Sequence, residues 1–183
     1  GHTYYRAIWV ECAEMLDHFG WKWWKKQDAD LDQVKLELVD IWHFGLSEML
    51  RSGPVDAAIA AQLSEIQAAH TDLEQDVRAE NFRLAIEQLA ASSLASKSFD
   101  LSAFKSAMAS LPMQLPELYG MYIGKNILNR FRQNNGYKSG EYRKLWQGRE
   151  DNEHLVELLE ELSGVVEGLP EKLFAGLEAR YTA

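Results

Sequence analysis

Glu11 and Glu14 stand three residues apart, and so do Glu37 and Asp40. On a helix, residues at that spacing lie on one face, one turn above each other. Four carboxylates brought to one locus repel and do not all stay ionised without a cation. An all-oxygen donor set suits a hard ion such as Mg²⁺, which takes carboxylates and phosphate oxygens and keeps several waters. The same spacing recurs at Glu150/Glu153 and Glu157/Glu160, where it reads as a solvated helix face, because a chain with 28 acids produces such pairs by chance. The flanks set the first two pairs apart. Ala7-Ile8-Trp9-Val10 and Met15-Leu16 bracket one, and Leu36 and Ile41-Trp42 bracket the other. Acids in half-apolar helices that must pack cost on the order of several kcal/mol per ion to bury unless a positive charge offsets them.

The elements that would carry these acids are helices joined by a turn. Ile8, Met15 and Phe19, with Cys12 between them, form an apolar stripe that predicts a helix over 3–19, ended by Gly20. Glu11, Glu14 and His18 share the neighbouring strip, and His18 reads either as a further ligand or as a histidine solvated at a helix end. Trp21-Lys22-Trp23-Trp24-Lys25-Lys26 follows. It reads either as a buried corner with snorkelling lysines or as an aromatic wall for a flat ligand, with cations beside it for phosphates. Asp30 with Gln33 opens a second helix, about 30–50, with Val34, Leu38, Ile41, Gly45 and Met49 as its core stripe. Phe44 stands one turn beyond Asp40, placed to touch a bound base, with His43 beside it. Ser52-Gly53-Pro54 stops this helix.

Residues 55–95 read as helical with a break near 66–71. Ser92 to Ser98 reads as a polar, mobile connector, and Asp100 caps a short helix to about Ser110. The helix predicted over 116–134 places Lys125, Asn129 and Arg132 on one face. Asn135-Gly136 turns the chain into Tyr137, Lys138, Tyr142, Lys144 and Asn152. Such side chains are the donors that a polyphosphate needs, each charge-assisted bond contributing roughly 1.5–3 kcal/mol. They would equally serve as a stripe pairing with the acidic segment 150–163. Helices over 152–163 and 170–181 close the chain, with no strand pattern and no phosphate-loop glycine signature.

The whole chain bounds the rest. Its 183 residues, 46% of them hydrophobic, predict one domain over 1–183 with a substantial core. A net charge of −9 argues against a nucleic-acid partner. The single cysteine excludes an internal disulfide and fits a reducing, cytoplasmic compartment. No apolar run is long enough to span a membrane. Gly1-His2 reads as a tag remnant, so the natural start is expected elsewhere.

Glu11-Cys12-Ala13-Glu14, Gly20-Trp21-Lys22-Trp23-Trp24-Lys25-Lys26 and Glu37-Leu38-Val39-Asp40-Ile41-Trp42-His43-Phe44 resemble the metal site of the dimeric, all-α dUTPases, relatives of the MazG-like nucleotide pyrophosphohydrolases. The run from Gly124 to Lys138, with Glu150-Asp151-Asn152, resembles that family's phosphate-binding segment. The resemblance implies an all-α helical bundle with a metal site between two antiparallel helices, and a homodimer. It implies hydrolysis of dUTP, and of dUDP, to dUMP. By the same likeness Glu11, Glu14, Glu37 and Asp40 hold more than one Mg²⁺; a carboxylate beside the attacking water can serve as general base, and Glu11 is the expected one. Lys125, Asn129, Arg132, Tyr137, Lys144 and Asn152 grip the phosphates, and Trp24, His43 and Phe44 line uracil and deoxyribose. The family's N-terminal, uracil-reading helix has no counterpart in the ten residues before Glu11, so either the chain is trimmed or base recognition differs, and two alternatives stand beside dUTP hydrolysis. The missing helix motivates a broader nucleotide set that includes dCTP; independently of it, the chain reads as a non-catalytic helical module that keeps the acids as a cation-stabilised pair.

Overall fold

The computed structural model describes residues 2–53, 57–64, 75–165 and 167–182. Contacts group the chain into two compact units, Gly1–Leu118 and Tyr119–Ala183. Eight helices appear among the described residues, with one two-residue ribbon that sequence reasoning did not expect.

In the first unit, α1 (Tyr4–Phe19) packs on α2 (Leu31–Ser52) and on α4 (Gln75–Ser96), and α4 packs on α5 (Leu101–Ala109). The pairing of α1 with α2 is antiparallel. Asp30 N–H donates to the His18 carbonyl at 3.0 Å, Glu11 bonds Glu37, and the Tyr4 and Phe44 rings lie 6.4 Å apart, so α1 descends as α2 ascends. Asp30 accepts from Gln33 N–H and starts α2, and Asp100 accepts from Ala103 N–H and starts α5, both where their side chains predict. Ile8, Cys12 and Met15 bury the inner stripe of α1. Helix α2 is buried over most of its circumference, by Val34, Leu36, Leu38, Val39 and Ile41. At about 100° per residue, Glu37 and Asp40 share the one sector left between Leu36 and Ile41. Each buried aliphatic contributes about 1.5–3 kcal/mol, so the apolar faces dictate where the acids must point. At Gly45 α2 meets the Phe99 ring so closely that a Cβ would sit 2.6 Å from it.

The break expected near 66–71 lies outside the described residues, which resume with α3 (Ala57–Ser64) before it and α4 after it. The polar run from Ser92 is not a connector as far as Ser96: it is the last turn of α4. Ser92 and Ser96 donate their hydroxyls back to the Leu89 and Ser92 carbonyls, and Ser93 is fully buried, so tertiary packing overrides the loop-like composition. Lys97, at φ 54°, ends the helix in the left-handed region.

Helix α6 (Leu115–Asn134) begins at the end of the first unit and lies mostly in the second. There Ile127, Leu128, Phe131, Trp146, Leu155, Leu158, Leu173 and Leu177 form a second core. They come from α6, the ribbon β1 (Leu145–Trp146) and β2 (Arg149–Glu150), α7 (Asp151–Glu161) and α8 (Leu169–Thr182). The ribbon is antiparallel, with Leu145 opposite Glu150. Among the described residues no helix is long and apolar enough to cross a membrane.

Candidate active site

The α1–α2 pair brings three of the four expected carboxylates together. Glu11, Glu37 and Asp40 each offer an oxygen within 4.8 Å of the others. Glu37 is buried, and Glu11 and Asp40 are half-buried. Burial pushes the Glu11 carboxyl up to about 9, helped by its bond to Glu37 and by the charges of Glu37, Asp40 and Glu14. A carboxyl so raised holds a proton at neutral pH and shares it with Glu37. Glu14 lies one turn along α1, exposed and outside the close group, though its charge is felt by Glu11. His18 Nε2 stands 3.7 Å from Glu37 Oε1, so it belongs to the rim of the acidic cluster rather than to a distant helix end.

The connection from α1 to α2 explains why these helices can face each other. Gly20, at φ +89°, turns the chain and donates to the Leu16 carbonyl. Gln27 Oε1 accepts from Trp21 N–H at 3.2 Å and from Lys22 N–H at 2.8 Å, and Lys22 pairs with Asp17. Arg83 of α4 donates twice to the Gly20 carbonyl, at 3.1 and 2.9 Å. The tryptophans of this turn are not a buried corner. Trp21, Trp23 and Trp24 are all exposed, Trp23 at 90%, and the Trp24 ring meets both neighbours edge-on at 5.2 and 5.4 Å. Their burial was one of two sequence readings, and it fails because a turn clamped by Gln27 from beneath projects its indoles outward. His43 holds its Nδ1 at 3.1 Å from the Val39 carbonyl, and Phe44 is half-buried beside Tyr4.

Glu48 was missed. It is buried two turns beyond Asp40 and bonded by Arg51. It lines a pocket of about 280 Å³ with Met49, Ser52, Ile59, Ser98 and Phe99, away from the three-carboxylate group. The signal was present, since Glu48 continues the acid-bearing side of a half-apolar helix, but a single acid carries no pair spacing.

In the second unit, Lys125, Asn129, Arg132 and Asn152 come together. Lys125 is 3% exposed and donates to Asn152 Oδ1 at 3.3 Å. Arg132 forks onto Asp151 at 2.8 and 2.8 Å and reaches Asn129 Oδ1 at 3.1 Å. Burial works against the Arg132 cation, and the Asp151 bond outweighs it, so its pKa rises. Tyr142 donates its hydroxyl to Asp151, and burial together with that bond holds the phenol far above its ordinary range. Tyr137 is exposed, with Arg132 lying 5.9 Å from its ring centroid. Lys144 is exposed and pairs with Glu150 at 3.1 Å, outside the buried network. Glu157 does not lie on a free solvated face either, because Arg149 and Arg180 clamp it.

A family model described as dUTPase matches residues 2–137, well over half of the chain. The chain belongs to the all-α dUTPase family. The match takes in both acid pairs, the tryptophan turn and the Lys125–Tyr137 stretch, and ends before Lys144 and Asn152. No curated protein matches the chain. Membership makes this a dUTP diphosphatase of a family that uses a divalent metal. The group Glu11–Glu37–Asp40 fits such an ion: three hard oxygen donors converge, and one is forced to hold a proton where a cation would serve better.

Proposed function

We propose that the chain hydrolyses dUTP, and dUDP, in a Mg²⁺-dependent reaction that leaves dUMP with pyrophosphate or phosphate. The observation that carries this reading is the convergence of Glu11, Glu37 and Asp40, with Glu11 driven to about 9. These three, with Glu14 one turn along, would hold more than one Mg²⁺. When bound, the ion supplies charge neutralisation for the polyphosphate and acidifies water.

Glu11 is the general base. Once its carboxylate is ionised, it takes a proton from the attacking water. The water oxygen bonds to the β-phosphorus, the bond to the α–β bridging oxygen breaks, and that oxygen leaves with dUMP. The same attack on dUDP releases phosphate. Lys125, Asn129, Arg132, Tyr137, Lys144 and Asn152 form the phosphate-binding set, through N–H and O–H donors. Trp24, His43 and Phe44 line the base and deoxyribose. We further propose a homodimer, supported by exposed apolar residues such as Trp9 and Val10 on α1 and Leu84 and Leu94 on α4, and checked by light scattering after gel filtration.

The test is a pyrophosphate-release assay with dUTP, dCTP, dTTP and UTP, each with and without Mg²⁺. Turnover of dUTP only with Mg²⁺ is expected, and Glu37→Gln should abolish it in a folded protein. Near-normal activity in that variant, or no dependence on Mg²⁺, overturns the site.

A further inference from the structure

Asp151, at the first position of α7, is fully buried. Its carboxylate takes three bonds: Arg132 Nε and Nη2 at 2.8 Å each, and the Tyr142 hydroxyl at 2.8 Å. None of the six residues in the phosphate-binding set is Asp151, yet it holds one of them by a two-pronged ion pair. An Arg–carboxylate fork fixes the guanidinium plane as well as its charge.

That plane decides two further groups. Arg132 Nη1 donates to Asn129 Oδ1 at 3.1 Å, and Nη2 reaches Asn152 Oδ1 at 3.4 Å, where Lys125 Nζ also donates at 3.3 Å. Both carboxamide oxygens therefore face cations, which fixes the amides with Nδ2 turned the other way. Among the described residues neither Nδ2 donates to any group, although Asn152 is only 9% exposed. The Asn129 and Asn152 amide nitrogens, turned away from the two cations and open to solvent, are free to donate to an acceptor ligand.

We propose that Asp151 is a positioning residue for phosphate binding. It pins and neutralises Arg132, and Arg132 in turn holds Asn129 and Asn152 with their Nδ2–H groups presented to phosphate oxygens. The inference rests on the phosphate-binding set proposed above. It moves Arg132 from direct ion pairing with phosphate to orienting the two carboxamides, and it adds Tyr142 as the third bond that steadies Asp151.

Charge and positioning predict opposite signs. Asp151→Asn removes a negative charge beside an anion site, so charge alone predicts tighter binding. Positioning predicts weaker binding, because the neutral amide cannot hold the fork. The assay is the KM and kcat for dUTP, with the Kd of α,β-imido-dUTP in Mg²⁺ measured by calorimetry on the full chain. Asp151→Asn and Asp151→Glu should each raise KM and Kd about tenfold, with kcat within about threefold of the parent. Asn152→Asp keeps an acceptor for Lys125 and Arg132 but removes the Nδ2 donors, and should weaken binding as much at an unchanged melting temperature. Tyr142→Phe, which leaves the fork intact and tests the idea even where Asp151 variants do not fold, should weaken binding in the same direction by about two- to threefold. Tighter or unchanged binding in folded Asp151→Asn and in Tyr142→Phe, with Asn152→Asp weakened, overturns the positioning role alone. Unchanged binding in both Asn152→Asp and Lys125→Ala overturns the phosphate-binding set as well.

Discussion

Replacing Glu11 by glutamine should stabilise the metal-free protein at pH 8 while abolishing its response to Mg²⁺. The folded carboxyl sits at about 9 against an ordinary 4.5, mainly through burial and its bond to Glu37. Between those values the folded protein keeps a proton that the unfolded chain releases. Folded stability therefore falls as pH rises through that window, by at most about 1.4 kcal/mol per pH unit. Part of the carboxyl remains in water and the proton is shared with Glu37, so solvent screening reduces the total to about 1–2 kcal/mol between pH 5 and pH 8. Glutamine keeps a hydrogen bond to Glu37 and carries no charge, so its stability should be flat in this window. It should match the parent at pH 5 and exceed it by about 1–2 kcal/mol at pH 8, near 2–8 °C in melting temperature. Mg²⁺ at a hundred times its Kd should add about 2.7 kcal/mol to the parent and nothing to the variant. Urea unfolding in EDTA, followed by tryptophan emission, reads this well, because five of the six tryptophans precede Gly45. A flat parent profile from pH 5 to 8, or a variant less stable than the parent at pH 8, refutes the reasoning.

Two other outcomes follow from local geometry. Arg149 and Arg180 hold the Glu157 carboxyl down at about 2; its contribution is complete above pH 4.5 and lost as pH falls toward 2, so Glu157→Gln should flatten that acid limb in a circular-dichroism titration, and an unaltered limb argues against the clamp. Gln27→Ala frees the Trp21 and Lys22 amides; water can reach them, so the stability loss should stay near 1 kcal/mol, while acrylamide quenching of the turn's tryptophans and the KM for dUTP both rise, and unchanged quenching would show that Gln27 does not hold the turn.

What could be read in the residues alone was what is local. Helix starts at Asp30 and Asp100 follow from side chains that cap their own next turn, and the facing of Glu37 with Asp40 follows from helical pitch. The family could also be read, because its tryptophan turn and its Lys125–Tyr137 stretch are contiguous words in the sequence. Tertiary structure decided what depends on rotation about a helix axis and on partners distant in sequence. Glu11 turns inward and Glu14 outward because the Ile8–Cys12–Met15 stripe must be buried, and that stripe sets the roll of α1. Ser92–Ser96 is helix because Ser93 packs into a core that its composition does not announce. Arg132 finds Asp151 nineteen residues on, across a turn and a ribbon whose path no periodicity encodes. Backbone geometry repeats every few residues and is written locally, whereas the choice of which face is buried is settled by the apolar area of every element at once.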